Sequence, residues 1–363
     1  MQDKKIFFVL GSFKLGGTER TASRIGLELL RRGYNVKFLI INRIFDYDDE
    51  ELIRNSIVLS NNKNKLIKIF SAYSKLLYLT WRNMPHRLIS FSLGLNLFAF
   101  FTFYPKSIFR IEANIFIYKK KLYRRYLQKI INVFPQNKKV VVPSVGLANA
   151  CKDYFLCSSK VTHIDNPIDI REIDILKKVE IIETDITSSN YIVSAGRLHK
   201  NKGFYQLIEM YAKSKLPENN IRLIILGNGP DFKNLQNLIN KLDLADKVYL
   251  LGFVKNPYKY FHQAKYFVLN SSHESFGNVI IEAFSCDICV LSNDCDFGPR
   301  HIISDNFNGL LFNNKNETEF LKTLNLIIDK PELIEELNTN ASQTKYKFEV
   351  EEVVNTWENI ILK

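Results

Sequence analysis

Several familiar signposts are missing from this sequence, and each absence closes a class. The charge-free stretch 88–104 holds seventeen residues, short against the roughly 20 of a membrane-crossing helix. Ser90, Ser92, Gly94, Asn96 and Thr102 interrupt it and Pro105 follows, so it reads as a buried strand at 88–91, a loop, and a core helix from Asn96 to Phe103. The first residues, Met1 to Lys5, pass directly into an apolar run at 6–10. They lack a signal peptide's long apolar region and cleavage site, so a first strand in a cytoplasmic protein is expected. Of five cysteines, Cys286 and Cys289 are three apart, but no second pair or nearby histidine completes a zinc set; reduced, packed thiols are expected. None of the six histidines stands at a metal or triad spacing. No acyl-transfer nucleophile elbow occurs, and the loop after the first strand is not G-x-G-x-x-G, which argues against a nicotinamide site. Asp294-Cys295-Asp296 is an Asp-x-Asp spacing without supporting oxygen ligands, so no metal is assigned.

What remains is a chain of 363 residues, 46% apolar and rich in Phe and Tyr. That is too long for one ordinary core and suits two domains. Charge is unevenly shared: residues 1–165 carry net +17 and the rest net −5, which points to an anionic partner for the first domain only. Residues 115–131 interleave Phe116, Tyr118, Tyr123 and Tyr126 with Lys119, Lys120, Lys121, Arg124, Arg125 and Lys129. Such a segment suits a surface resting on an anionic bilayer, although a solvated helix with a buried stripe fits each residue as well. No helix-turn-helix, zinc or RNA-binding signature accompanies it, so nucleic acid is not expected as a partner.

The element pattern is βαβ. A strand at 4–10, a glycine loop at 11–20 and a helix at 21–32 ending at Gly33 precede a strand at 36–41, the mark of a parallel sheet. Further expectations are a polar loop at 46–51, a helix at 63–78, and a domain boundary between 165 and 190 with a linker at 183–190. The alternation then restarts, with strands at 191–195, 221–226 and 248–251 and helices at 204–213, 232–241 and 317–328. The reading is α/β throughout: two doubly wound Rossmann-like domains facing a central cleft, 1–168 and 169–345, with a terminal helix in 346–363 packing back on the first.

Four loops follow strands and so reach the edge where open parallel sheets bind ligands: 11–18, 196–203, 227–230 and 271–278. Arg197 and Lys202 beside a helix start could hold a diphosphate and stabilise it as a leaving group. Glu274 and Glu282 stand eight apart across a helix start near Gly277. Carboxylates suit hydroxyls and free N–H groups suit anionic oxygens, a combination matched to a nucleotide-sugar. Acidic residues in a first turn are also common without any ligand.

In order and spacing, Gly16-Gly17-Thr18-Glu19-Arg20, Asn166-Pro167-Ile168-Asp169, Gly196-Arg197-Leu198 with Lys202-Gly203, Gly227-Asn228-Gly229-Pro230 and the span from Glu274 to Glu282 resemble the retaining GT-B glycosyltransferases of family 4. The resemblance covers nearly the whole chain. It implies an acceptor-binding first domain and a second domain that binds a nucleotide-sugar, UDP-linked and metal-independent, with no permanent cofactor. Arg197 and Lys202 would contact the diphosphate, Glu274 the transferred sugar and Glu282 the ribose. Backbone at Phe276, Gly277 and Asn278, and at Gly227, would complete the donor site, and Gly16-Gly17 would close over the phosphates. Surface-polysaccharide members act on lipid-linked glycans at the inner face of the membrane, which implies peripheral attachment there. Two departures stand out: His301 follows Gly-Pro-Arg where Glu is usual, and Asp287 replaces a glycine after the Glu282 helix. A UDP-sugar epimerase and an inactive nucleotide-sugar binder share the architecture.

Overall fold

The computed structural model describes residues 4–14, 16–46, 49–112, 139–154, 161–182 and 190–362. They form two compact units, one of 1–168 with 349–363 and one of 169–348. The basic segment 115–131 and most of the expected linker lie outside the described residues.

The first unit is built on seven parallel strands: β1 (Lys5–Leu10), β2 (Asn35–Ile40), β3 (Ser56–Val58), β4 (Arg87–Phe91), β5 (Ser107–Arg110), β6 (Lys139–Val142) and β7 (Val161–His163), in the order β3-β2-β1-β4-β5-β6-β7. Their side chains are apolar on both faces because helices cover both faces of such a sheet. Phe8 stacks between Phe38 and Phe91. The Gly17–Arg31 helix buries Ala22, Ile25 and Leu29, and Gly26 admits the Phe38 ring, which a Cβ would meet at 2.4 Å. The last helix, Val350–Leu362, adds Val353, Val354, Trp357 and Ile361 to this core. Arg32 fastens it, donating to Glu358 Oε2 at 2.6 Å and to the Glu351 carbonyl at 2.8 Å.

The second unit has six parallel strands: β8 (Tyr191–Ala195), β9 (Arg222–Leu226), β10 (Val248–Gly252), β11 (Phe267–Leu269), β12 (Val290–Asn293) and β13 (Gly309–Phe312), in the order β10-β9-β8-β11-β12-β13. From β8 the chain first winds one way to β9 and β10, then returns to β11 on the other side. The order therefore reverses between β8 and β11, and the loops leaving these two strands diverge to leave a crevice.

Some local expectations give way. The 46–51 stretch contains Asp49, whose carboxylate accepts from the Leu52 N–H and caps a short helix, Glu50–Arg54. The helix expected at 63–78 runs over Lys65–Asn83, because Asn64 caps its start and Ala72, Leu76 and Thr80 form one buried line to its end. The 317–328 helix is two, Glu317–Leu324 and Leu326–Asp329. The break is at Asn325, whose side chain accepts from the Lys215 N–H at 2.8 Å. A helix, Ile170–Leu176, occupies the region read as the boundary, capped by Asp169. The second unit extends to Phe348, since Lys345 pairs with Asp287 and Phe348 packs on Phe276. Cys151, Cys286, Cys289 and Cys295 are free and buried; burial pushes the thiols of Cys151, Cys289 and Cys295 up to about 12.

Candidate active site

The crevice of the second unit is assembled from glycines that permit close backbone approach. At Gly227, φ is +136° and a Cβ would lie 1.9 Å from the Gly196 carbonyl oxygen. The loops after β8 and β9 therefore touch backbone to backbone. Leu198 donates its N–H to the Asn228 carbonyl at 3.0 Å and anchors the first loop by burial. One 3-10 turn, Lys200–Lys202, leads to Gly203 (φ +69°), where a Cβ would meet the Asn270 carbonyl oxygen at 2.2 Å.

Asn270 ends β11 and is buried. Its amide donates to the Gly203 carbonyl at 2.9 Å and accepts from Asn314 at 2.9 Å. The Ser272 N–H donates to the Asn201 carbonyl at 2.9 Å. These bonds fix the loop after β11 against the loop after β8. The result is a contact between two expected site residues: Lys202 Nζ donates to Glu274 Oε1 at 2.5 Å, with both side chains mostly shielded from solvent.

Glu274 is held from behind. It forms an isolated parallel bridge with Phe297, and its carbonyl accepts from the Gly298 N–H at 3.2 Å. A Cβ at Gly298 would stand 2.3 Å from the Phe276 carbonyl oxygen. Phe276 itself is buried, its ring 6.0 Å from Phe348 and 6.2 Å from His301. Gly277 (φ +93°) turns the chain into the Asn278–Ser285 helix. Glu282 is buried inside that helix, while Arg197 is exposed on the first loop. Thus Lys202 and Glu274 meet; Glu282 follows on the helix their loop opens, and Arg197 and Gly227 lie on the adjoining loops. An ammonium beside a carboxylate can receive a ligand that carries both anionic oxygens and hydroxyls. Sequence reasoning missed Ser271, whose buried Oγ has no hydrogen-bond partner among the described residues.

The Asp287 departure has a structural account. It occupies the left-handed region (φ +64°) just past the Glu282 helix, where glycine is easiest. Its carboxylate accepts from Lys177 at 2.6 Å, Lys345 at 2.7 Å and Ser342 at 2.8 Å. Burial alone would raise its pKa, but these hydrogen bonds outweigh it and hold the group at about 2.

At the C-terminal edge of the first sheet, Gly16 precedes the Gly17–Arg31 helix in extended conformation and Gly17 begins it. A polar network stands on the same edge. Arg110, fully buried at the end of β5, bonds through Nε to Glu112 and through Nη2 to Asn166, with its guanidinium 5.3 Å from the Trp357 ring centroid. Burial pushes the Glu112 carboxyl up against the opposing charge of Arg110. Burial also raises Glu19, with a smaller contribution from Glu112. Asn166 belongs to a motif the sequence had singled out; Arg110 carried no local signal.

Residues 178–344 match the family of glycosyl transferases group 1. A Campylobacter jejuni enzyme, N-acetylgalactosamine-N,N'-diacetylbacillosaminyl-diphospho-undecaprenol 4-alpha-N-acetylgalactosaminyltransferase, is 27% identical over 96% of this chain and 95% of its own. An amylovoran biosynthesis glycosyltransferase of Erwinia amylovora is 21% identical over 99% of both. Among solved structures, Anabaena HepE in complex with UDP and glucose superposes with a TM-score of 0.83 over 99% of each chain, at 19% identity. The fold is GT-B, two Rossmann-like domains, and the chain is related to glycosyltransferases of the GT4 type.

Proposed function

We propose that this protein is a retaining glycosyltransferase that moves a hexose or N-acetylhexosamine from a UDP-sugar to a lipid-linked or polysaccharide acceptor in surface-glycan assembly. The observation that carries the reading is the Lys202–Glu274 contact at the β8/β11 crevice. The relatives' printed activities, among them transfer to a diphospho-undecaprenol glycan, support the substrate class. In this reading Arg197 and Lys202 take the diphosphate, so Lys202 exchanges a carboxylate for phosphate oxygens and releases Glu274 toward the sugar hydroxyls. Glu282 binds the ribose, Gly227 lets the chain approach the nucleotide, and backbone at Phe276, Gly277 and Asn278 meets sugar and phosphate. Gly16 and Gly17 close over the phosphates.

The step is a substitution at the anomeric carbon with configuration retained. The acceptor oxygen bonds to that carbon on the face from which the diphosphate leaves. The acceptor proton passes to the departing diphosphate, giving a glycoside and UDP. Positive charge from Arg197 and Lys202 stabilises the leaving group as its charge grows, so this scheme calls on no metal. The first unit takes the acceptor, and the chain works at the cytoplasmic face of the inner membrane. A screen of radiolabelled nucleotide-sugars with a membrane extract tests the proposal. Transfer of one UDP-linked sugar into the lipid fraction is expected; conversion of the donor alone to an epimer, or UDP binding with no turnover, would overturn it.

A further inference from the structure

The first unit displays apolar side chains that its own core does not use. The Lys65–Asn83 helix turns one line inward, Ala72, Leu76 and Thr80. At 100° per residue, Leu66, Phe70, Tyr73, Leu77 and Trp81 fall within an arc of roughly 80° on a different side. Leu66 is 78% exposed and Phe70 73%. The neighbouring Leu93–Phe101 helix continues the surface. Tyr73 donates to the Phe101 carbonyl at 2.8 Å, and the Trp81 indole N–H donates to the Thr102 carbonyl at 2.9 Å. These bonds set Phe101 and Phe103 beside the helix, with Phe103 69% exposed.

Two of the exposed groups stand on costly backbone. Phe103 (φ +54°) and Met84 (φ +42°) both lie in the left-handed region, unusual for bulky residues, and both point large apolar side chains outward. Charge is equally one-sided. Residues 52–111 contain no Asp or Glu, and nine Lys or Arg. Lys68, Lys75 and Arg82 recur every seven residues along a line of the helix next to the aromatic arc.

We propose that this face, Leu66, Phe70, Trp81, Met84, Phe101 and Phe103 with the flanking lysines and Arg82, docks on an anionic lipid bilayer. Apolar and aromatic side chains enter the headgroup–acyl boundary, Trp and Tyr sit at the interface, and the basic line meets lipid phosphates. A protein partner of ordinary composition would bring its own acidic residues and need matching donors. The uniform positive charge with no acidic counterpart instead fits a planar, negatively charged surface. No described helix is long and apolar enough to cross a membrane, so the contact is interfacial. The docking face deepens the reading of a lipid-linked acceptor given above and rests on it, yet vesicle binding is measured without sugar transfer, so either can fail alone.

The test is flotation of the full chain with phosphatidylcholine vesicles, with and without phosphatidylglycerol, for the wild type, Phe70→Ser/Phe103→Ser and Lys65→Gln/Arg82→Gln. The wild type should bind only the anionic vesicles, more weakly as salt rises. Each double variant should lose about tenfold in vesicle affinity while binding UDP within about twofold of wild type. Absence of vesicle binding by the wild type would overturn the proposal, as would unchanged binding by both variants. So would sedimentation showing a wild-type dimer that these substitutions dissociate, since the face would then seat a second copy. Should the serine pair fail to fold, the charge pair alone decides.

Discussion

At the scale of single residues, the site depends on two side chains whose charges already neutralise each other. Replacing Glu274 with Gln keeps the shape and removes the acceptor charge; transfer should fall by about 10²–10³-fold while UDP still binds. Lys202→Met should instead weaken UDP far more than uridine. Parallel titrations of UDP and uridine check this, and equal losses for both ligands would remove Lys202 from the diphosphate site. Asp287 gives a pH-dependent counterpart. Its folded pKa of about 2 lies below its ordinary 3.8. Its contribution is therefore complete above pH 3.8 and disappears as pH falls toward 2. Asn tolerates the same left-handed backbone, so Asp287→Asn isolates the charge. With the carboxylate about a third exposed, the loss should be about 1–2 kcal/mol at pH 7. Urea melts at pH 7 and pH 2.5 should show the gap between wild type and variant narrowing at the lower pH.

At the scale of elements, the glycines decide which loops can approach. Gly203 combines positive φ with an Asn270 carbonyl where its Cβ would be, so even alanine must push the β8 and β11 loops apart. Gly203→Ala should cost about 2–4 kcal/mol and weaken UDP binding together with stability. A variant that melts like wild type would show that the loops have room to separate. The sequence had marked this glycine only as part of a motif. Its reason, a carbonyl contributed by a residue 67 positions later, could not be read locally. The same holds for the break at Asn325, where helical periodicity continues but a side chain is recruited by Lys215 from elsewhere in the fold.

At the scale of the whole molecule, the chain returns to its first unit to finish it. Trp357, fully buried in the core of residues that begin 350 positions earlier, makes the terminal helix a necessary part of that unit. Trp357→Ala should destabilise it by about 3–5 kcal/mol. Chemical denaturation followed by fluorescence and by UDP protection should place the loss in the first unit and leave nucleotide binding by the folded protein close to normal. A uniform loss across both units would contradict the division of the core.

Periodicity and turn chemistry in the sequence were enough to determine the alternating strands and helices, the two parallel sheets, and the loops at strand ends, because each depends on residues close together in the chain. Tertiary structure alone decided that Lys202 reaches Glu274, that Arg110 is buried on Glu112 and Asn166, and that Asp287 gathers two lysines and a serine. These depend on strand order, which brings β11 beside β8 rather than beside β10, its predecessor in the sequence. Long-range neighbours of that kind leave no period for a local pattern to display.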